Sequence, residues 1–365
     1  VTTAVYDYAI VGAGMAGASI AAELAPYGEV ILLEAEERPG YHATGRSAAF
    51  WEECYGGPEI VPLTLASGPY LKSHGFLRQR GAIYIGRSQD APEIDAFLDR
   101  FAQSGATIGR LNAAQLAQKV PRLRSEWNDA IHEPACADID VAGLHQHYLQ
   151  AFSQAGGTTK TNAALTQAVW KQGQWHIAAG SDNFTAKTLV NAAGAWADEV
   201  ALLSGVRPIG IAPKRRTVVQ LRVSPLAAPD LPLVLDINGT FYFKPENGRL
   251  WLSPHDEVAS EPCDAAPEEL AVAQAIDRLE QVTDWKVEAV ERKWAGLRSF
   301  APDRLPVYGR DSDLPSFFWF AGQGGSGIQT APAAARLASQ MLLCRPTDAM
   351  TKGLNPEIYS PARFG

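Results

Sequence analysis

The sequence predicts an α/β protein in which a nucleotide-binding α/β unit is interleaved with a β-rich second domain. Three observations carry this. Tyr8–Glu34 reads as strand, glycine loop, helix and strand. Two further glycine-containing segments, 191–194 and 322–327, each end an apolar strand. The segments between them are mainly of β type.

The first unit, YAIVGAGMAGASIAAELAPYGEVILLE, stops an apolar run at Gly12, Gly14 and Gly17, continues as an alanine-rich helix, and ends a second apolar run at Glu34. This is the G-x-G-x-x-G fingerprint of a Rossmann-type unit. Gly12 permits the tight turn, Gly14 lets the backbone approach a pyrophosphate, and Gly17 lets helix and strand pack closely. Phosphates would rest on the helix N-terminus, where free N–H groups and the helix dipole favour negative charge. Glu34 stands where a carboxylate accepts hydrogen bonds from a ribose 2′-OH and repels a 2′-phosphate, which disfavours NADP.

After a Gly/Ser/Thr/Ala-rich stretch at 38–57, AIYIG (82–86) reads as a strand and LNAAQLAQKVPRL (111–123) as a helix up to Pro121. Asp140 is a good cap for the amphipathic segment VAGLHQHYLQAF. Strands follow around the turn Lys171-Gln172-Gly173-Gln174, then at 188–194, 215–223, 240–245 and 249–254, with Asn247-Gly248 joining the last two as a hairpin. Residues 264–282 read as a helix capped by Asp264 with Pro267 in its first turn. SFFWFAG (316–322) is a buried strand, and an alanine-rich helix runs from Ile328 to about Leu343. The expected division is 1–78, 140–205 and 305–365 for the nucleotide domain, and 79–139 and 206–304 for the substrate domain.

The 365 residues, 46% of them hydrophobic, suffice for one large core or two moderate ones. A net charge of −8 argues against nucleic-acid or polybasic membrane binding. The four cysteines are scattered without a C-x-x-C, and His145 and His147 point to different faces of their helix, so neither a disulfide frame nor a metal site is expected. No apolar run approaches the ~20 residues of a membrane span, and the N-terminus has no basic n-region. The expectation is a cytoplasmic protein without a transmembrane segment.

Asn191-Ala-Ala-Gly194, followed by Trp196, ends one strand with residues too small to block a ligand; Gly322, Gly324, Gly325 and Gly327, followed by Ile328, end another just before a helix. A nicotinamide cofactor commonly needs one such loop per domain. Three of them spread over the chain fit a larger ligand lying across the sheet edge, as FAD does.

GYHATGRSAAFWEECYG, KRR, FYFKP, WAGLRSF and AGQGGSGIQT occur in the order found in the D-amino acid oxidase-like flavoenzymes. The sequence resembles that family from about Tyr6 to Arg363, and within it the bacterial FAD-dependent D-arginine dehydrogenases. The resemblance implies noncovalent FAD and oxidation of a D-amino acid to an imino acid, which water converts to a 2-oxo acid and ammonia. It matches Arg216 and Arg298 to the substrate-carboxylate residues, Tyr55 and Tyr242 to the substrate-contacting tyrosines, and the Gly325 carbonyl to the acceptor for the substrate amine. Thr44 and Ser47 fall in the loop along the pyrophosphate and ribityl chain; Ala193, Gly194, Trp196, Gly324, Gly327 and Ile328 fall in the other cofactor loops. Arginine suits the carboxylate because its planar fork is permanently charged and donates bidentately. With carboxylate and amine held, Cα–H can face flavin N5 at near-attack distance, ~3–3.5 Å.

The sequence departs from the arginine-specific members of that family. They have a glutamate where this chain has Ala82, and a histidine at Phe50. With Leu233 and Leu235, these changes give an apolar side-chain pocket and a leaning towards apolar or aromatic D-amino acids. Glu52 stands where the family has a small hydroxyl residue; it either supplies the missing charge, so that D-arginine or D-lysine is read, or is solvated. Glycine, sarcosine or another N-substituted amino acid is a further substrate reading. A nucleotide-binding module without catalysis and an NAD-dependent dehydrogenase are readings from other classes. The electron acceptor (oxygen, a quinone or a carrier) has no motif.

Overall fold

The computed structural model describes residues 5–365, so the first four residues of the expected 1–78 segment lie outside the described residues. The chain forms two large sheets. In the first, of eight strands, Thr158–Lys160, Val30–Leu33, Val5–Val11, Asp182–Asn191 and Phe317–Ala321 lie side by side in that order, all parallel. The hairpin Leu165–Lys171/Gln174–Ala179 pairs with the first half of Asp182–Asn191, and Val307–Arg310 lies antiparallel beside Phe317–Ala321. Val30–Leu33 and Phe317–Ala321 are buried at every position, as expected of parallel strands covered on both faces. One face packs on helices Met15–Leu24 and Ala331–Leu342 through Ile20, Leu24, Leu337 and Leu342. The other packs on helix Ala197–Leu203 and on Trp175.

The second sheet has ten strands and takes them from two distant parts of the chain. Its centre is the long antiparallel pair Ala212–Ser224/Lys286–Phe300, which continues through Arg249–Ser253, Tyr242–Glu246 and Leu233–Asp236. Leu233–Asp236 then pairs in parallel with Ala82–Arg87, joining the 82–133 strands to the 212–300 strands. At the far edge Gln323–Gly324 pairs with Ser299–Phe300. The glycine loop that follows the nucleotide-sheet strand Phe317–Ala321 is therefore also an edge strand of the second sheet. That seam positions the site.

Local signals act largely as the sequence predicts. Asp140 accepts from the Gly143 N–H at 2.9 Å and starts helix Val141–Gln154. Asn247 and Gly248 both have positive φ (49° and 72°), which gives the turn a twist compatible with its strands. The helix expected from Asp264 begins only at Glu269, because the Asp264 carboxylate is taken by Arg46 and Tyr41. The alanine-rich C-terminal helix begins at Ala331 instead of Ile328, after a turn in which Thr330 Oγ1 donates to the Ser326 carbonyl. Two helices without a sequence expectation, Val61–Ser73 and Ala91–Phe101, flank the seam. The first carries Pro69 in its interior, which masks its pattern.

Candidate active site

A cavity of about 450 Å³ runs along the seam. At one end it is lined by Gly12, Gly14 and Glu34. Gly12 has φ +98°, and a Cβ there would stand 2.6 Å from the Ala192 carbonyl oxygen, so only glycine fits. Gly17 does not line the cavity; a Cβ on it would stand 1.7 Å from the Gly12 carbonyl, which makes it the helix–loop packing residue. The Glu34 carboxylate accepts from the Ala13 N–H (2.8 Å) and the Glu36 N–H (3.0 Å), holding the turn while keeping lone pairs for a ligand. Thr44 lines the cavity, and its hydroxyl accepts from the Met15 N–H at 2.9 Å, occupying one free donor of the helix N-terminus.

Two histidines that the motif does not contain complete this end. His145 Nε2 lies 2.9 Å from the Ala13 carbonyl. Burial pushes its pKa down, so a neutral ring donates from Nε2 and braces the loop from behind. His42 lies over Trp196 at 4.6 Å between ring centroids and pairs with Glu36 at 2.8 Å, leaving its Nδ1 buried without a protein partner. Ser47, Ala193, Gly194 (φ +56°), Trp196, Gly324, Gly327 and Ile328 line the middle of the same cavity.

The other end is built from side chains. Lys214 lies opposite Arg298, and Arg216 opposite Gly296, in the long antiparallel pair. Arg216 and Arg298 therefore project from one face as diagonal neighbours. Arg216 donates from Nε to the Asp256 carbonyl (2.7 Å) and from one Nη to Glu257 (3.2 Å), while its other Nη is buried with no partner. Burial first, then repulsion from Arg298, lowers its pKa to about 10, which still leaves it charged at neutral pH. Arg298 donates to the Tyr55 hydroxyl at 2.6 Å. A Cβ on Gly325 would stand 1.9 Å from that hydroxyl, so the absence of a side chain at Gly325 makes room for the Arg298–Tyr55 pair. Two guanidinium groups on one face, one with a buried free donor, form a site for an anion.

His255, which had no expected role, also lines this end. Its Nδ1 lies 2.7 Å from the Gly239 carbonyl and so carries the proton, which leaves Nε2 an acceptor. Its ring stands edge-on to Tyr242 at 5.8 Å, and burial together with Arg216 and Arg298 holds its pKa down at about 3. No motif marks it, because its place depends on a left-handed φ of 55° and on the neighbouring turn.

Phe50, Leu233, Leu235 and Tyr242 line the remaining wall. Ala82, expected in that pocket, is fully buried and does not line the cavity; it stands beside Leu233 on the adjacent strand, packed in the same cluster. A solvated Glu52 is also overturned, since Glu52 is 3% exposed and lines the cavity. The Tyr84 hydroxyl donates to its Oε1. Burial pushes its pKa up to about 7, against the lowering effects of Tyr84 and Arg298. Among the described residues, no three His, Cys, Asp or Glu side chains are grouped to hold a metal ion, all four cysteines are free, and no helix is long and apolar enough to cross a membrane.

The cavity thus joins a glycine cradle of the dinucleotide type at Gly12–Met15 to an end that carries two guanidinium groups, and its length and donor set fit FAD. A family model described as FAD dependent oxidoreductase matches residues 7–341. The chain belongs to this family. It is an enzyme of the FAD-dependent oxidoreductases, and FAD is its cofactor. Hydrogen cyanide synthase subunit HcnC of Pseudomonas aeruginosa is 23% identical over 92% of this chain and 92% of that protein. Glycine oxidase from Geobacillus kaustophilus superimposes with a TM-score of 0.84 at 22% identity, over 98% of each chain. L-Proline dehydrogenase from P. horikoshii does so with 0.86 at 20% identity, over 99% of this chain and 98% of that one. These likenesses establish the two-domain α/β fold and do not single out a D-arginine branch.

Proposed function

We propose that this FAD-dependent oxidoreductase oxidises a D-amino acid to the imino acid, which water converts to the 2-oxo acid and ammonia. The observation that carries the reading is the pair Arg216 and Arg298 on one sheet face, with a buried unpartnered Nη, at the end of the cavity opposite the dinucleotide loop. Such a pair captures a carboxylate bidentately. Tyr55, braced by Arg298, and Tyr242 close the site around it, and the Gly325 carbonyl accepts from the amine. The amine must lose its extra proton before Cα–H can leave as hydride, because the nitrogen lone pair supplies the electrons of the new C=N bond. Bound FAD supplies the two-electron acceptor. The protein's contribution is orientation: two charged contacts and one carbonyl fix which face of Cα meets the ring. We assign the D-configuration from the order of motifs shared with the D-amino acid oxidase-like enzymes. The apolar wall of Phe50, Leu233 and Leu235 favours a substrate with a sizeable side chain over glycine.

Oxidation of glycine, sarcosine or another N-substituted amino acid is the second reading, favoured by the likeness to glycine oxidase. Anaerobic mixing of the holoenzyme with D-, L- and N-methyl amino acids separates the two. Bleaching of the flavin by D-amino acids with three or more side-chain carbons supports the first reading. Bleaching by sarcosine or glycine alone supports the second, and bleaching only by L-enantiomers overturns both.

A further inference from the structure

Among the described residues, Glu52, Glu53 and Glu133 form a buried acidic group in which no member has an ion-pair partner. Glu133 is fully buried, and its carboxylate accepts the backbone N–H groups of Glu53 (2.6 Å) and Cys54 (3.3 Å). Glu53 accepts from the Thr107 N–H at 2.6 Å. Both are thereby satisfied by backbone, behind the cavity wall. Glu52 differs: it lines the cavity, and its carboxylate has only the Tyr84 hydroxyl. Its backbone is pinned on both sides by one carboxamide, since Gln329 Oε1 accepts from the Glu52 N–H and Gln329 Nε2 donates to the Glu52 carbonyl, each at 3.2 Å. That carboxamide also donates to Thr64 Oγ1 at 2.8 Å. The position of Glu52 is thus fixed by residues remote in sequence, and its acid group is presented beside the apolar wall of Phe50, Leu233 and Leu235.

We infer that Glu52 is the specificity residue for the far end of the substrate side chain, and that the pocket takes a D-amino acid with an apolar stem and a cationic terminus. The inference rests on the reading of the site as one for D-amino acids and deepens it. A carboxyl group at a dry apolar wall is costly to ionise alone and gains most from a cation that reaches it. The stem methylenes satisfy the wall, and the terminal ammonium or guanidinium satisfies Glu52. The groups facing Glu52 explain why a cation is preferred to a neutral donor. Glu133 and Cys54 lie behind it, and Glu133 disfavours a second negative charge so long as none of opposite sign is present. Arg298, on the other side, is committed to the carboxylate end. A cationic terminus brings Glu52 to its ionised form, so binding releases a proton near pH 7.

The test compares D-lysine with D-norleucine, which has the same four-carbon stem and no ammonium, by anaerobic flavin reduction of the holoenzyme. The wild type is expected to favour D-lysine by at least about tenfold in kcat/KM, the worth of one charged hydrogen bond in a dry site. In Glu52→Gln the ratio of D-lysine to D-norleucine should fall by about tenfold or more. Tyr84→Phe, which removes the hydroxyl that favours the ionised carboxyl, should lower the ratio in the same direction. Proton release on mixing with D-lysine, read with a pH indicator in weakly buffered solution near pH 7, should be smaller in Glu52→Gln by the share Glu52 contributes, the α-amine proton being released in both. If D-norleucine is oxidised at least as well as D-lysine, the inference is overturned and the D-amino acid reading stands. If neither reduces the flavin, the reading itself fails. If the ratio is unchanged in both variants, Glu52 does not read the side chain.

Discussion

At the nucleotide end of the cavity the contacts are backbone groups and glycines drawn from three strand ends; at the clamp end they are side chains carried by segments far apart in the chain. The first end is tight at its turn: a Cβ at Gly12 would stand 2.6 Å from the Ala192 carbonyl oxygen, and one at Gly17, beside the cavity, 1.7 Å from the Gly12 carbonyl oxygen. The second is built of side chains: Arg216, Arg298, Tyr55 and Glu52 all line it. On the proposed reading, the backbone-built end holds the cofactor and the side-chain end chooses the substrate. Phosphate chemistry is the same in every member, so its cradle can be made of backbone.

The largest effect that would sharpen this contrast is expected at the rigid end. Gly17→Val forces the helix off its strand, and such overpacking against backbone falls in the severe class, above about 4 kcal/mol. Soluble holoenzyme should be lost, as judged by the flavin absorbance of the purified fraction; full retention of FAD would break the comparison. Next is the clamp. Arg298→Met should leave FAD bound, with kcat/KM reduced by at least tenfold, since a charged hydrogen bond contributes about 1.5–3 kcal/mol and tenfold is about 1.4. A smaller loss would remove Arg298 from the clamp.

A third effect concerns Glu52, whose pKa in the folded protein is raised to about 7 from 4.5. Between those values the folded state holds a proton that the unfolded chain has released, so this group's stability contribution falls as pH rises from about 4.5 to 7. Glu52→Gln removes the dependence. Its stability relative to wild type, measured by urea titration without substrate, should improve by roughly 1–3 kcal/mol between pH 5 and 7. No change in the difference would show that the carboxyl is already compensated. The smallest effect is Thr44→Val. Loss of the hydroxyl that accepts from the Met15 N–H should cost about 1 kcal/mol, read as a modest fall in melting temperature of the apoprotein.

The contrast also explains what the sequence disclosed. The loop at Gly12–Gly17, the turn at Asn247-Gly248 and the cap at Asp140 are written in consecutive residues, and local chemistry decides them. Arg298 was legible because a charge inside an apolar strand calls for a partner. The burial of Glu52 and the places of His145 and His255 were not, because each is made by residues elsewhere: Gln329 and Tyr84 for Glu52, the Ala13 carbonyl for His145, the Gly239 turn for His255. Asp264 shows the converse. It has the right chemistry for a helix cap, yet Arg46, far away in sequence, takes its carboxylate. Ala82 was placed in the pocket by alignment of residue types, whereas strand pairing sets it beside Leu233, buried and outside the cavity lining.

The parallel sheet carries a consequence for biosynthesis. Asp182–Asn191 receives one neighbour from Val5–Val11, made before it, and another from Phe317–Ala321, made well after it. The same late segment continues into Gln323–Gly324, which seals the edge of the second sheet. Neither sheet can be completed on the ribosome until Phe317–Gly324 has been made and has cleared the exit tunnel. Until then the apolar edge of Asp182–Asn191 is open, and a chain stalled before Phe317 has no finished cradle for FAD. Cofactor capture therefore waits on Phe317–Gly324, so a chain stalled before that segment is left as a target for chaperones and proteases instead of a partly loaded enzyme.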